Sequence, residues 1–215
     1  ASLILGFFFS LLVTGGCGYI GSHFIVKMIE LGSDIVSIDN FSNSLPITVD
    51  NIKNITKRNF NFVEGDIRDP RDLKKVFDNY KIDSVIHFAG KKSINDSIVN
   101  PLEYYSCNIT GTLNLLAAMN ENGVKDIIFS SSASVYGNNH SLPWHEELEL
   151  SFPLNPYAQT KYIIEKILKN ISNTNNNLGV GILRYFNPAG NHMSGFIGDN
   201  AYKKENNLLP AITRV

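Results

Sequence analysis

The stretch VTGGCGYIGSH, residues 13–23, constrains the fold more than any other part of the chain. An apolar run over residues 10–13 leads into Gly15, Gly16, Gly18 and Gly21, and a helical pattern covers residues 19–31. Two readings of that turn stand side by side. The glycines either let a strand turn tightly into a helix, or clear room so that backbone N–H groups and the helix dipole face a bound pyrophosphate. A glycine pattern alone is weak evidence for a phosphate, so the decision rests on the rest of the chain.

Downstream, short apolar or β-branched runs alternate with helical patterns. Strands are expected at residues 34–38, 60–63, 83–88, 126–130 and 178–184, and helices at 46–57, 69–80, 101–122 and 156–170. Asp69 and Pro70 read as cap and first-turn residue of one helix, and Asn155 and Pro156 as the same pair in another. The Asn-rich stretch NISNTNNNLG reads as a solvated connector. Apolar strands alternating with helices predict an α/β fold, a doubly wound parallel sheet of Rossmann type covered on both faces. Three segments follow: an extra apolar amino-terminal piece (1–10), the nucleotide-binding sheet domain (11–187), and the start of a smaller substrate domain (188–215).

Composition narrows the chemistry. A net charge of −1 with scattered basic residues leaves no stripe for a nucleic acid. Cys17 and Cys107 form no CxxC pair and suggest reduced thiols and a cytoplasmic location. The histidines lack the cysteine company of a zinc site, so no metal is expected. The apolar start ASLILGFFFSLLV is too short to span a bilayer comfortably and has no basic flank. It reads as a first strand preceded by extra residues, with a signal-peptide core as the other reading and no membrane partner expected. The sequons at Asn54 and Asn108 are then accidental.

The expected strand ends share one edge, where ligands gather in an open parallel sheet. Asp39 closes the second strand, about twenty residues beyond the glycine turn. A carboxylate there accepts both ribose hydroxyls of an adenosine and repels a 2′-phosphate, favouring NAD over NADP. The alternative is that Asp39 starts a turn with Asn40. Asp66 and Ile67, the run Phe88, Ala89 and Gly90, Ser130–Ser132, and Tyr185 to Asn187 supply further strand ends. In NPYAQTK, Tyr157 and Lys161 lie one helical turn apart on the same face. A free phenol, with a pKa of about 10, is a poor base at neutral pH. A neighbouring ammonium and an oxidised nicotinamide lower that pKa, whereas a surface Tyr–Lys pair on an amphipathic helix does nothing.

In order along the chain, VTGGCGYIGSH, IDNF, EGDIRD, VIHFAGKK, NITGTLNLL, FSSSASVYG, NPYAQTK and LRYFNPAG resemble the extended short-chain dehydrogenase/reductases, from about Leu12 to the end. The resemblance implies NAD as cofactor, with Gly15, Gly18, Tyr19, Ile20 and Gly21 at the pyrophosphate. It implies Asp39, Asn40, Phe41, Ser42 and Asn43 on the adenosine side, with Asp66 and Ile67 at the adenine. Phe88, Ala89, Gly90, Lys92, Lys161 and Tyr185 would complete the cofactor site. Catalysis falls to Tyr157, Ser132 and Lys161. Substrate contacts fall to Ser132, Ala133, Ser134, Tyr157, Tyr185, Phe186, Asn187, Asn206, Asn207 and Leu208. Tyr157 would take the proton of a sugar 4-hydroxyl, Ser132 would hydrogen-bond the same oxygen, and Lys161 would hold the nicotinamide ribose and depress the Tyr157 pKa.

The implied reaction is interconversion of UDP-galactose and UDP-glucose through a 4-keto sugar. Related dehydratases place an Asp-Glu pair after the catalytic hydroxyl residue and related decarboxylases a Glu, whereas Ala133 and Ser134 follow Ser132 here. Epimerisation, decarboxylation or dehydration of another nucleotide sugar, and an inactive NAD-binding remnant, are the alternatives. The filling of YAQTK and the segment GDNAYKKENN depart from the family pattern. Homodimers through the helices at 101–122 and 156–170 are also implied. A chain ending at Val215, before most of the substrate domain, is expected to bind NAD with little or no turnover.

Overall fold

A computed structural model describes residues 9–137, 142–174 and 178–199. Six parallel strands form one sheet: β1 (Ser10–Thr14), β2 (Asp34–Asp39), β3 (Asn61–Glu64), β4 (Ser84–His87), β5 (Asp126–Ser132) and β6 (Gly179–Tyr185). Their order is β3-β2-β1-β4-β5-β6, which reverses direction between β1 and β4. That reversal opens a crevice at the carboxyl ends of β1 and β4, the position at which such sheets take ligands.

Helices α1 (Tyr19–Glu30) and α2 (Ile47–Thr56) cover one face, burying Ile25, Val26, Ile29 and Ile52 against Val13 and Ile35. Helices α3 (Pro70–Asn79), α6 (Gly111–Glu121) and α7 (Pro156–Thr174) cover the other through Leu73, Val76, Leu115, Met119, Ile164 and Leu168. Alternate residues of the central strands enter each core. Leu12, Val36 and Val85 face the second set of helices, while Leu11, Val13 and Ile35 face the first. Right-handed crossovers account for this division, since the chain winds one way from β1 to β3 and the opposite way from β4 to β6.

The caps behave as the sequence predicts. The Asp69 carboxylate accepts the Arg71 N–H at 2.9 Å with Pro70 in the first turn, and the Asn155 side chain accepts the Ala158 N–H at 2.9 Å.

Two elements differ from expectation. The helix expected over 101–122 is preceded by α4 (Ile94–Val99) and is not uniformly α. It consists of α5 (Pro101–Tyr104), a π turn (Tyr105–Thr110) and α6. Its widened turn carries Asn108, whose buried side chain bonds outward to other elements instead of to its own helix. Second, α7 extends to Thr174, so the first part of the Asn-rich stretch is helix. The described residues beyond 187 also touch the sheet domain. Ile197 enters the core beside α1 and α2, and Asn51 donates to the Phe196 carbonyl at 2.9 Å.

Residues 1–8 and 200–215, and with them Asn206, Asn207 and Leu208, lie outside the described residues. No helix among the described residues is long and apolar enough to cross a membrane, and no group of three or more His, Cys, Asp or Glu among them could hold a metal.

Candidate active site

The glycine turn joins β1 to α1, and its glycines do different work. Gly15 has φ +69°, and a Cβ there would meet the Ala89 N at 2.6 Å. Gly21 packs so closely on the Gly15 carbonyl that a side chain has no room. These two serve the close fit of strand, loop and helix. Gly18 differs: a Cβ there would meet only the Gly15 carbonyl, at 3.3 Å. Gly18 is also the α1 N-cap, and no side chain caps that helix. The first bond closed within α1 runs from the Ser22 N–H to the Gly18 carbonyl at 2.9 Å, so the donors of Tyr19 and Ile20 are left for a ligand. An uncapped helix start with glycine at its mouth fits a pyrophosphate.

At the end of β2, Asp39 shapes the turn that follows and reaches the glycine loop. Its carboxylate accepts the Cys17 N–H at 2.9 Å, tying β2 to the glycine turn. It also accepts the Phe41 N–H at 2.9 Å and the Ser44 hydroxyl at 2.8 Å, which shapes the following turn, where Phe41 has φ 55°. Asn40 donates to Asp66 at 2.8 Å and accepts the Ser42 N–H at 3.0 Å, while Asn43 is exposed. Asp66 is pushed up by burial, yet bonds from Arg68 and Asn40 hold it below the usual carboxylate range. Its oxygens are thus engaged with Arg68 at 2.6–3.0 Å, and Asp66 builds the wall of the crevice. Ile67 is buried against Gly111.

Beyond β4, the Phe88 ring meets Phe24 at 5.5 Å and Ala89 supports Gly15. Gly90 has φ +157°, and a Cβ there would lie 3.1 Å from Asn108 Oδ1 and 3.7 Å from Lys161 Nζ. Lys92 Nζ pairs with Asp199 at 3.7 Å, and its charge also acts on Tyr19 and Tyr157. The Tyr19 hydroxyl donates to the Gly190 carbonyl at 2.6 Å, so the segment after β6 lies across the start of α1.

The acid–base side is built from β5 and α7. The Ser132 oxygen accepts the Ser134 N–H at 3.2 Å and the Ser134 hydroxyl at 3.0 Å, and Ser132 is among the groups that act on the Tyr157 phenol. Ala133 is buried beneath them. Lys161 is buried, lies over the Phe129 ring at 4.8 Å, and donates to the Ser130 carbonyl at 2.8 Å. Burial pushes its ammonium down to about 8, with the Cys107 and Glu165 charges opposing. Register pairs Ser132 with Tyr185, whose half-buried phenol is pushed up by burial. Phe186 is exposed on one side and stacks beside Trp144 at 6.1 Å, and Asn187 is exposed.

One expectation is corrected. Lys161 does not depress the Tyr157 pKa within the chain. Burial pushes that phenol up, and the Ser132 hydrogen bond and the Lys92 charge pull it back. Helical spacing puts Tyr157 and Lys161 on one face, but the long Lys161 side chain ends on the Ser130 carbonyl.

Residues that sequence reasoning missed hold the site together. Asn108 accepts the Lys91 N–H at 2.8 Å and donates to the Thr160 hydroxyl at 2.9 Å, joining the β4 loop to α7. Glu165, 1% exposed, accepts the Ser131 hydroxyl at 2.6 Å and takes Arg184 in a fork at 2.8 and 3.0 Å, fixing α7 to β5 and β6. The sequence signals were a polar residue in mid-helix and a carboxylate four residues after Lys161 on the same face.

Comparison with known proteins gives this geometry its relatives. A family model described as the NAD dependent epimerase/dehydratase family matches residues 11–214. The UDP-glucose 4-epimerase of Haemophilus influenzae is 45% identical over 206 residues, 96% of this chain and 61% of the relative. The chain thus spans about three-fifths of the length of that relative. A structure of UDP-glucose-4-epimerase from Stenotrophomonas maltophila with bound NAD and formylated UDP-arabinopyranose superposes with a TM-score of 0.92 at 40% identity, covering 96% of this chain and 61% of that one. The Bifidobacterium longum UDP-glucose 4-epimerase, in complex with NAD+ and UDP, gives 0.87 at 41% identity, covering 89% and 57%. With the match running from β1 through the whole sheet, the chain belongs to the NAD dependent epimerase/dehydratase family.

Proposed function

We propose that the protein interconverts UDP-galactose and UDP-glucose with NAD as a tightly held cofactor. The observation that carries this reading is Ser132 at the end of β5, followed by Ala133 and Ser134 with no carboxylate. β-Elimination of a 4-keto sugar requires an added acid and base beside the ketone. Ala133 and Ser134 supply neither, which favours a reaction that stops at the ketone and returns.

The cofactor would lie along the crevice. Gly18, Tyr19 and Ile20 would receive the pyrophosphate, and residues 39–43 with Asp66 and Ile67 would form the adenosine end. Phe88, Ala89, Gly90, Lys92, Lys161 and Tyr185 would enclose the nicotinamide end. When bound, NAD supplies a hydride acceptor for C4 and a donor that gives the hydride back. Tyr157 holds the proton of the sugar 4-hydroxyl between the two halves of the reaction, and Ser132 orients that oxygen. Lys161, buried beside Gly90, holds the ribose. Ser134, Phe186 and Asn187 would line the approach to Tyr157, and Asn206, Asn207 and Leu208 would complete the substrate side.

We further assign residues 11–187 to the cofactor domain and 188–215 to the start of the substrate domain, in the cytoplasm, where free Cys17 and Cys107 stay reduced. A homodimer is supported by apolar side chains left outside on the α4–α6 helices, with Leu102 82% and Val99 76% exposed. The test is Tyr157→Phe in the complete polypeptide. It should abolish both conversion of UDP-galactose and the near-ultraviolet absorbance of reduced nicotinamide on adding sugar nucleotide. Undiminished turnover would overturn the assignment.

A further inference from the structure

The chain leaves β6 at one edge of the sheet, yet its last described residues lie against α1 and α2, which pack on β1 and β2. In the sheet, β5 and β4 stand between. Four contacts trace the route across them. The Tyr19 hydroxyl, at the start of α1, donates to the Gly190 carbonyl at 2.6 Å. Asn51 of α2 donates to the Phe196 carbonyl at 2.9 Å. Ile197, 5% exposed, joins Val13, Ile25, Ile29 and Ile52 in the core. Lys92, in the loop after β4, pairs with Asp199 at 3.7 Å. Tyr19 and Lys92 lie beyond the carboxyl ends of β1 and β4, so residues 190–199 pass the mouth of the crevice.

Part of this segment is closed on itself. The Gly195 N–H donates to the His192 carbonyl at 2.9 Å, and the His192 N–H donates to the Ile197 carbonyl at 3.1 Å. A loop held by its own bonds moves as a unit, so its attachments decide whether it stays down. Those attachments are unequal. The Lys92–Asp199 pair is long and partly exposed, and such pairs contribute little. Burying the whole Ile197 side chain contributes more than one neutral hydrogen bond. Burial and the Asp199 charge push the Tyr19 phenol up against the pull of Lys92, so it stays a protonated donor at neutral pH.

We propose that residues 190–199 form a strap that must lift for NAD to enter or leave, latched at Tyr19 and anchored at Ile197. This rests on the reading of the glycine turn as the pyrophosphate site. One residue then serves both purposes: the Tyr19 N–H is left for the pyrophosphate, while its hydroxyl holds the strap. The latch is made between two groups of the chain. Weakening it changes how often the crevice opens, not how well the open crevice binds. Entry and exit through a minority open state both scale with the population of that state. A latch variant therefore speeds both steps by the same factor, whereas loss of a direct cofactor contact speeds exit alone.

The experiment uses the complete polypeptide freed of cofactor, with NADH as the probe. Nicotinamide fluorescence follows association on mixing and dissociation on chasing with excess NAD. Tyr19→Phe keeps the ring and the backbone N–H, and should raise both rates together by roughly 2- to 10-fold, the effect of one neutral hydrogen bond. Ile197→Ala should raise both by at least about tenfold. In the cofactor-free protein, amide hydrogen exchange over residues 190–199 should rise in the same order, Ile197→Ala above Tyr19→Phe. That readout needs no cofactor, so it is separate from the assignment of NAD to the crevice. If Ile197→Ala unfolds the sheet domain, Tyr19→Phe decides alone, since its bond lies at the surface. Faster dissociation with unchanged association in Tyr19→Phe would make the hydroxyl a cofactor contact and overturn the proposal. Unchanged rates beside faster exchange would also overturn it, because the segment would then lift without controlling the crevice. Exchange identical to that of the unaltered protein would do the same, since the hydroxyl would then hold nothing down.

Discussion

Lys161 makes the folded protein's stability depend on pH in a way that can be worked out beforehand. Its ammonium is buried between the Phe129 ring and the Ser130 carbonyl, which pushes its pKa from 10.5 down to about 8. With the folded-state value below the unfolded one, the unfolded chain binds more protons between the two, and stability rises with pH across that window. The contribution is fully present above 10.5 and lost as pH falls through about 8. Integrating between those two values predicts a gain of about 2–3 kcal/mol from roughly pH 7 to roughly pH 10. Lys161→Met retains most of the apolar stem and has no proton to lose. It leaves the Ser130 carbonyl without its donor, a pH-independent cost of about 1–3 kcal/mol. Urea unfolding of the cofactor-free protein, followed by fluorescence of the single Trp144, measures both proteins at each pH. The variant should lack the slope, so the difference between the two curves isolates Lys161. Parallel curves would refute the reasoning, because the ammonium would then be as well solvated folded as unfolded.

The other predictions separate structure from ligand binding. Gly15→Ala should destabilise the fold by about 1–3 kcal/mol, through its positive φ and the clash with the Ala89 N. Gly18→Ala, which meets only a carbonyl at 3.3 Å, should cost under about 1 kcal/mol while weakening NAD binding at least tenfold, read by thermal melts and by cofactor titration. Breaking the buried pair with Glu165→Leu should cost about 3–5 kcal/mol, because Arg184 is left charged and unpaired. Adding Arg184→Leu should recover a large part of that loss in urea unfolding, and an additive double variant would show that the pair does not couple.

The sheet was legible because buried parallel strands must be apolar and β-branched, and the runs at Leu11–Val13, Ile35–Ile38 and Val85–Ile86 can serve no other purpose at that spacing. The helix starts at Asp69 and Asn155 were legible because a cap is a local interaction. What escaped was set by distant partners. The π turn exists where Asn108 reaches Lys91 and Thr160, residues 17 and 52 positions away, and no local pattern encodes that. For Lys161, sequence spacing specifies the helix face but not where a four-carbon stem ends. Asp39 shows a milder version of the same limit. Its position was readable from the strand, but its bond to the Cys17 N–H depends on the register of β1 with β2.

The same long-range bonds join the glycine turn to the helix that carries Tyr157. Thr112 gives its proton to the Asn108 carbonyl at 2.5 Å, so it accepts from His87 Nε2 at 2.9 Å. His87 Nδ1 then accepts from Thr14 at 2.6 Å, and Thr14 accepts the Ala89 N–H at 3.3 Å. Each group has one direction available to it, and this requires His87 to be neutral. Burial, with the Lys161 charge adding to it, pushes His87 down to about 3 and keeps it so. From Asn108 the path continues through the Thr160 hydroxyl to the Tyr157 carbonyl at 2.6 Å. The last residue of β1, the loop beyond β4, the π turn and the first turn of α7 are thus joined by buried, fully partnered polar groups. Such networks cost most when one member is lost, because every remaining partner is then buried without a bond. The glycine turn and Tyr157 are consequently held at a fixed spacing by the core beneath them, as the proposed transfer between a bound cofactor and the Tyr157 phenol would demand.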